Sequence, residues 1–329
     1  MTRMGMNPAR GKGISYHPAN VTVATVTYIP SLDGYFKHRL EILKLSLASI
    51  RAHTEQPFNL MVFSNGCCDE VVEYLNNQLK IGAIDYLILS QRNIGIIGAF
   101  KILFEAVPGD IIAYADDDVL YYQGWLAPHL EILNTYPNVG MVSGAPVGYS
   151  SEKSSSSLER FLSDKPDDLA VTYSPRELAW EKDWAISTGR DVDQHLASVQ
   201  NKPNTLLDYQ GVKAVGSAKH FQFVTTKRVM AEALPQKWTS KLMDGLVELD
   251  KSVDQLNYLR LSTPKRYTRH LGNIISPEIA QEAQKLGLRV EKAESQSKPH
   301  RHWLLRIPGS GRILRPLYNY LFRVLHDIT

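Results

Sequence analysis

Disulfide chemistry is all but missing from this chain: its 329 residues contain two cysteines, Cys67 and Cys68, and they are neighbours. Adjacent residues seldom reach disulfide geometry, so a stapled scaffold is excluded and stability has to come from a packed core. Long apolar runs are missing too. The apolar stretch from Val21 to Ile29 is short and broken by three threonines, which suits a strand and not a membrane span. We therefore expect no signal peptide and no spanning helix, and a reducing, cytoplasmic setting. A dominant charge of one sign is also lacking, since 37 Lys and Arg stand against 34 Asp and Glu, a net +3. That small excess is unevenly placed. Lys298 to Thr329 holds six basic residues against Asp327 alone, a local +5, which leaves 3 − 5 = −2 for the rest. A main body with that balance has no broad nucleic-acid footprint.

What is present is an ordinary globular composition, 43% hydrophobic and 22% charged, long enough for one large α/β domain or two smaller ones. Met1 to Asn20 has Gly, Pro and basic residues without apolar periodicity and reads as a mobile arm. Val21 to Thr27 then alternates Val with Thr or Ala, a β-branched strand pattern. Leu40, Leu43, Leu47 and Ile50 follow at spacings of three and four, one face of an amphipathic helix. The cycle repeats: a strand at Phe58 to Phe63, a Ser64-Asn65-Gly66 turn, and a helix with Val72, Leu75 and Leu79 on its apolar face. A strand at Tyr86 to Leu89, a helix over Phe100 to Ala106 and a strand at Ile111 to Ala115 come next. This alternation implies an α/β fold of three layers around a mostly parallel sheet. Trp125, Leu126, Leu130 and Leu133 are expected on the following helix, with Trp125 in the core.

Beyond Pro146 the pattern weakens. Six of the eight residues from Ser150 to Ser157 are serine, and 150–213 reads as a loop-rich insertion. Regular structure is expected again at Lys219 to Thr225, through the acidic stretch Asp244 to Asp254, and up to about Leu271.

The strand at Ile111 to Ala115 runs straight into Asp116-Asp117-Asp118. Three successive carboxylates repel unless a cation offsets them, and carboxylate oxygens suit hard divalent ions that keep places for water and phosphate. Their position at a strand's carboxyl end is where open α/β sheets bind ligands. Asp is equally at home in turns and helix caps, so the triplet gains meaning only from company.

That company is the Val/Thr strand, Ser64-Asn65-Gly66, Asn93-x-Gly95-x-x-x-Ala99, the Asp triplet and His270-Leu271-Gly272-Asn273. Together these resemble glycosyltransferase family 2, the inverting nucleotide-sugar transferases, over about Val21 to Pro146 and again over Gly216 to Asn273. The resemblance implies a Rossmann-like A-type glycosyltransferase fold, three layers α/β/α, with the loop-rich insertion and a C-terminal amphipathic helical tail added. The implied division is an arm at 1–20, a catalytic domain at 21–280 and a basic tail at 281–329. Within the catalytic domain, 21–146 would hold the nucleotide sugar and 214–280 the acceptor and base.

By the same resemblance, Thr27 and Tyr28 lie at the base and ribose end of the nucleotide, although Ile29-Pro30 replaces the family's usual Asn and acid. Asn65 stands where the family often has a base-reading Asp, and a turn role is open beside it. Arg92 offsets diphosphate charge, Asn93 and Gly95 belong to the donor-binding turn, and Gly95 and Gly98 let the backbone approach the sugar nucleotide. Asp116 and Asp117 contact the donor, and Asp116, Asp118 and His270 hold Mn²⁺ or Mg²⁺. An inverting transfer also needs a base for the acceptor hydroxyl. Asp254 is the first candidate and Asp250 the second, because Asp254 to Leu261 resembles the family's acid–apolar–Arg-Leu stretch, with a solvated helix face as the alternative for both.

From Ile313, apolar positions through Leu325 share one helical face and Arg312, Arg315, Asn319, Arg323 and His326 the other. Such a tail either lies on an anionic membrane, as a peripheral contact at the inner face of the cell membrane, or packs on protein. In the first case a lipid-linked glycan or glycolipid of surface-polysaccharide synthesis is the expected acceptor. A non-catalytic sugar-nucleotide or glycan-binding scaffold, and an Asp-nucleophile phosphatase, are the competing readings.

Overall fold

The computed structural model describes residues 5–7, 9–146, 155–164, 166–238 and 245–290. The basic tail therefore lies outside the described residues, as does most of the serine run. Among the described residues no helix is long and apolar enough to cross a membrane.

The first half follows the alternation read from the sequence. β1 (Val21–Thr27), α1 (Arg39–His53), β2 (Phe58–Asn65), α2 (Asp69–Lys80), β3 (Tyr86–Ser90), α3 (Ile96–Ala106) and β4 (Ile111–Asp116) succeed one another. The short β5 (Val119–Tyr121), then α4 (Leu126–Thr135) and β6 (Val139–Ser143), complete this part. β3, β2, β1 and β4 lie side by side and parallel. β1 is buried at all seven positions, so each face of the strand meets a layer of helices. Val21 and Val23 join α1, α2 and Trp125 on one side, whereas Ala24 and Val26 join Phe100, Leu103 and Tyr114 on the other. Of its threonines, Thr25 Oγ1 donates to the Ala115 carbonyl at 2.7 Å, whereas Thr22 Oγ1 is buried without a partner among the described residues.

Trp125 is fully buried, and its indole N–H donates to Thr54 Oγ1 at 3.0 Å, as a core Trp should. The buried face of α2 is rotated from the expected one. Val71 and Leu75 are fully buried, while Leu79 is 38% exposed because the helix ends over solvent one turn later.

The stretch expected as a loop-rich insertion is more regular than its composition suggests. It carries α5 (Ser156–Asp164), β7 (Leu169–Ser174), α6 (Leu178–Ser187), α7 (Val192–Val199), β8 (Asn204–Tyr209) and β9 (Val212–Gly216). β8 and β9 form a hairpin around Gln210-Gly211, both with positive φ, the two-residue turn that matches strand twist. Periodicity failed here for a physical reason. β7 is an edge strand whose four middle residues are exposed on both faces, so no apolar alternation is required of it.

β10 (Gln222–Thr226), α8 (Lys227–Ala233), α9 (Leu246–Gln255), β11 (Leu259–Ser262), β12 (Thr268–His270) and α10 (Pro277–Lys285) finish the described chain. α10 crosses the expected boundary at 280 and packs Ile279, Ala280 and Ala283 with Ile42 and Leu45 of α1. The sheet order is β3-β2-β1-β4-β10-β6-β11-β9-β8-β7. Among the described residues seven of these ten strands run one way, and β10, β9 and β7 run against them. Most strands thus point one way, but the sheet is mixed, with four parallel and five antiparallel neighbour pairs among the described residues and helices on both faces. A separate pair, β12 with β5, stands beyond the end of β4.

The two faces predict unequal sensitivity. Trp125→Ala should cost about 3–5 kcal/mol in denaturant unfolding, whereas Leu79→Ala should stay within about 0.5 kcal/mol. Equal losses would show that the helical layer is packed differently.

Candidate functional site

The Asp triplet sits where two strand pairings converge. β10 lies against β4, so the Asp116 N–H donates to the Phe221 carbonyl at 2.8 Å and His220 is carried to the same end of the sheet. β12 pairs with β5, setting His270 opposite Val119, and the Leu271 N–H donates to the Asp118 carbonyl at 2.7 Å. Residues separated by more than a hundred positions are brought to one corner by backbone pairing alone.

A cation is already present among the carboxylates. Arg39, the first residue of α1, donates to Asp118 Oδ2 at 2.7 Å and makes a short contact with Asp117 Oδ1. The same guanidinium reaches Asn273 Oδ1 at 3.2 Å and the Gly272 carbonyl at 3.4 Å. Burial opposes its charge, but Asp117 and Asp118 outweigh burial and raise its pKa. Asp117 also accepts from Thr27 Oγ1 at 2.5 Å, so the end of β1 holds the triplet's middle member. Burial raises the Asp117 carboxyl, with Arg39 and Thr27 pulling the other way. Thr27 is thus placed beside the triplet, and its hydroxyl is committed to Asp117. Tyr28, just beyond, is only partly buried and meets Phe36 edge-on at 5.8 Å.

Among the described residues Asp116 takes no part in the Arg39 ion pairs, and His220 opposes its shift only weakly. Asp116 Oδ1 accepts from the Tyr114 hydroxyl at 2.6 Å, while burial and the neighbouring Asp118 push its pKa up to about 7. His270 is lowered, mainly by burial, with Asp118 opposing, so the imidazole is held neutral and able to ligate. Its Nε2 lies 3.5 Å from Asp118 Oδ2. Asp118 Oδ1 and His270 Nδ1 are both buried without a hydrogen-bond partner among the described residues. Two orphaned donor atoms of these types, carboxylate oxygen and imidazole nitrogen, fit a divalent ion of the Mn²⁺ or Mg²⁺ class. Among the described residues no group of three or more His, Cys, Asp and Glu converges as a ready cage. What the described residues bring together is a pair, Asp118 and His270, with Asp116 alongside.

Asn65 and Asn93 are brought together. Asn65 Nδ2 donates to Asn93 Oδ1 at 3.0 Å and Asn65 Oδ1 accepts from the Ile94 N–H at 2.9 Å, which ties the end of β2 to the turn before α3. Asn93 Oδ1 also accepts from the Gly95 N–H at 2.9 Å. Gly95, at φ 74, starts α3 in a backbone region that glycine enters freely. The amide of Asn65 therefore builds the turn. Arg92 is exposed and makes no ion pair among the described residues. Gly98 departs from expectation, since a Cβ there would lie 2.9 Å from the Trp238 ring, so its missing side chain admits Trp238.

The two candidate bases, four residues apart on α9, differ sharply. Asp254 is buried and accepts from the backbone N–H and hydroxyl of Ser156 (3.1 and 2.5 Å) and of Ser157 (3.0 and 2.7 Å). Burial would raise its pKa, but these bonds hold it below the usual carboxylate range. It caps the first turn of α5, and both of its oxygens are engaged by Ser156 and Ser157. Asp250 differs. Its Oδ2 meets Arg260 at 3.0 Å and His220 Nδ1 at 3.1 Å, and its buried Oδ1 has no partner among the described residues.

Sequence reasoning missed Arg39, His220 and the aromatic wall of Trp184 and Phe221 around His270, whose ring centroids lie 5.3 and 5.7 Å from the imidazole. Arg39 did carry a signal. A cation in the first turn of a helix opposes the macrodipole, so it is placed there at a cost that something else offsets.

Residues 35–190 match the family model described as glycosyl transferase family 2. The matched stretch contains Arg39, Asn65, Asn93 and the triplet, and ends before His220, Asp250 and His270. Among curated proteins no relative matches the chain. Similar solved structures include a mannosyltransferase from Pyrobaculum calidifontis in complex with GDP-Man and Mn²⁺, 20% identical over 41% of this chain and 37% of that one, TM-score 0.33. S. aureus TarS 1–349 is 12% identical over 76% of this chain and 60% of that one, TM-score 0.42. GalNAc-T7 with UDP, GalNAc and Mn²⁺ is 12% identical over 76% of this chain and 43% of that one, TM-score 0.47. The chain thus spans 37 to 60% of the lengths of these structures.

Arg39→Met should destabilise the protein by about 3–5 kcal/mol near neutral pH, because it strands two buried carboxylates; the loss should shrink as acid protonates them. Asp116 binds its proton more tightly folded than unfolded, so between the unfolded value of about 4 and about 7 its contribution falls as pH rises. Asp116→Asn should flatten the stability profile in that window, and an unchanged slope would contradict the buried-carboxyl assignment.

Proposed function

Taking as premise that residues 35–190 belong to glycosyl transferase family 2, we propose that the protein is a metal-dependent inverting glycosyltransferase. It moves a sugar from a nucleoside-diphosphate sugar to an acceptor hydroxyl. The observation that carries this reading is the pair Asp118 and His270, 3.5 Å apart at the carboxyl end of the sheet, each with a buried polar atom lacking a partner.

Asp118 and His270, with Asp116 beside them, are the residues that would hold Mn²⁺ or Mg²⁺. A divalent ion bound there supplies charge stabilisation for the departing nucleoside diphosphate. Arg39 counters the charge of Asp117 and Asp118 and holds both in place, and Thr27 fixes Asp117 from the end of β1. Asn65, Asn93 and Gly95 shape the turn that borders the donor, with Tyr28 at its nucleotide edge and Arg92 free to meet phosphate charge.

Asp250 is the base of this reading. Arg260 and His220 hold its Oδ2, which leaves Oδ1 to take the proton of the acceptor hydroxyl as that oxygen attacks the anomeric carbon. Attack on the face opposite the leaving diphosphate inverts the configuration. Asp254 supports the site indirectly by anchoring α5.

A nucleotide-sugar screen with Mn²⁺ or Mg²⁺, reading diphosphate release, tests the class. Asp118→Asn should abolish metal-dependent binding of nucleoside diphosphate as well as turnover. Asp250→Asn should lower kcat by about 10²–10⁴-fold with nucleotide binding kept, whereas Asp254→Asn should act mainly on stability. Full turnover by the Asp118 variant would reject the metal role.

The basic tail favours a lipid-linked glycan or glycolipid as acceptor, at the inner face of a membrane and in surface-polysaccharide synthesis. Six basic residues against one acid from Lys298 onward support that placement. Removing 308–329 should reduce co-sedimentation with anionic liposomes; unchanged association would sink it.

A further inference from the structure

A histidine that ligates a metal is usually turned towards it by a hydrogen bond from its second ring nitrogen to a carboxylate, a carbonyl or water. His270 lacks that device. Its Nδ1 has no partner among the described residues, and its Nε2 approaches Asp118 Oδ2 at 3.5 Å, the other half of the same pair. Packing has to set the ring instead. Trp184 and Phe221 meet the imidazole edge to face, with interplanar angles of 67° and 88°, and their own centroids lie 5.2 Å apart. Phe221 is fixed by the sheet, since its carbonyl accepts from the Asp116 N–H. Trp184 arrives from elsewhere, the middle of α6 in the 150–213 insertion.

Three residues on one side of α6, at helical spacings of one, three and four, fasten it at this spot. Asp183 accepts from Arg266 at 2.6 Å and from Arg269 at 3.0 Å, and Arg269 is the residue before His270. Trp184 has Lys219 Nζ 3.7 Å from its ring centroid, a cation on an aromatic face that steadies the indole. Ser187 meets the turn after β12. A Cβ on Gly272, which sits at φ 75, would lie 2.7 Å from the Ser187 carbonyl oxygen, so glycine is what lets the turn come this close. The same turn gives the Gly272 carbonyl and Asn273 Oδ1 to Arg39. α6 is thus braced against the strand that carries His270 and against the turn that meets Arg39.

We propose that α6 is a splint for the metal centre and that Trp184 is a positioning residue, holding His270 in its ligating orientation. On this basis the insertion completes the site and is no mere surface elaboration. The inference rests on the metal role of Asp118 and His270 proposed above and adds to it a residue that acts through His270.

The test is Mn²⁺ paramagnetic resonance on the full chain, with inorganic pyrophosphate as a nitrogen-free stand-in for the donor's diphosphate. Spin-echo modulation from nitrogen reports an imidazole bound to the ion, and His270→Ala sets the baseline without it. Trp184→Ala should raise the Mn²⁺ dissociation constant about tenfold and lose the nitrogen modulation at saturating Mn²⁺. Trp184→Phe, which keeps a ring, should restore it. Thermal melts show which variants fold, and if Trp184→Ala does not, Trp184→Leu is read in its place. Leu75→Ala, a fully buried site on α2, is the control for stability: its melting temperature should fall while affinity and modulation stay as in the wild type. Nitrogen modulation retained without the indole overturns the proposal whatever the affinity. Its loss in Leu75→Ala or Trp184→Phe overturns it too, tracing the effect to loosened packing in general. Failure of the metal role is visible separately in the wild type alone, as no bound Mn²⁺ or as bound Mn²⁺ without nitrogen modulation.

Discussion

The guanidinium of Arg39, held between Asp117 and Asp118, is the contact on which this corner of the molecule depends. Without it three adjacent carboxylates would crowd the end of a buried strand, and the usual outcome is that such groups take up protons or the structure gives way. Asp116 shows the first outcome, with its pKa pushed up to about 7 because burial and Asp118 outweigh the opposing Tyr114 and His220. Asp117 and Asp118 have the guanidinium as their partner. The arrangement also ties together four parts of the chain, since Arg39 leads α1, the acids follow β4, Thr27 ends β1 and Asn273 follows β12.

Much of the sheet was legible in the sequence because buried parallel strands and amphipathic helices must show their periods. β1, β3 and β4 were found to within a residue for that reason. The insertion was not, because an exposed edge strand and half-exposed helices have no need of a regular apolar pattern; only Gln210-Gly211 marked the hairpin. In the site, the premise that the acids need a cation was sound, yet the first cation present is a side chain eighty residues upstream. Nothing along the chain marks Arg39 as their partner, because that distance is closed by strand pairing.

α9 teaches the same lesson at shorter range. Asp250 and Asp254 are both acids on one helix, and a sequence cannot say which neighbours will reach them. Tertiary packing brings Ser156 and Ser157 to Asp254 and spends all its lone pairs. It brings Arg260 and His220 to Asp250 and spends half. Whether an acid on this helix is fully engaged or keeps an unpaired oxygen is thus decided by which segment docks, with the residue type unchanged.

The placement of β10 carries a consequence for how the protein is made. β10 runs between β4 and β6 and against both, although it is synthesised some eighty residues after β6. A nascent chain that has emerged only as far as β6 has the acids and Arg39 but lacks the strand that joins the two halves of the sheet. Its β4 edge stays unpaired, and such edges invite wrong partners during synthesis. The corner that gathers Asp116, His220 and Phe221 therefore closes late, when a distant strand slots in, and a ribosome pausing before residue 226 would prolong the most exposed stage of folding.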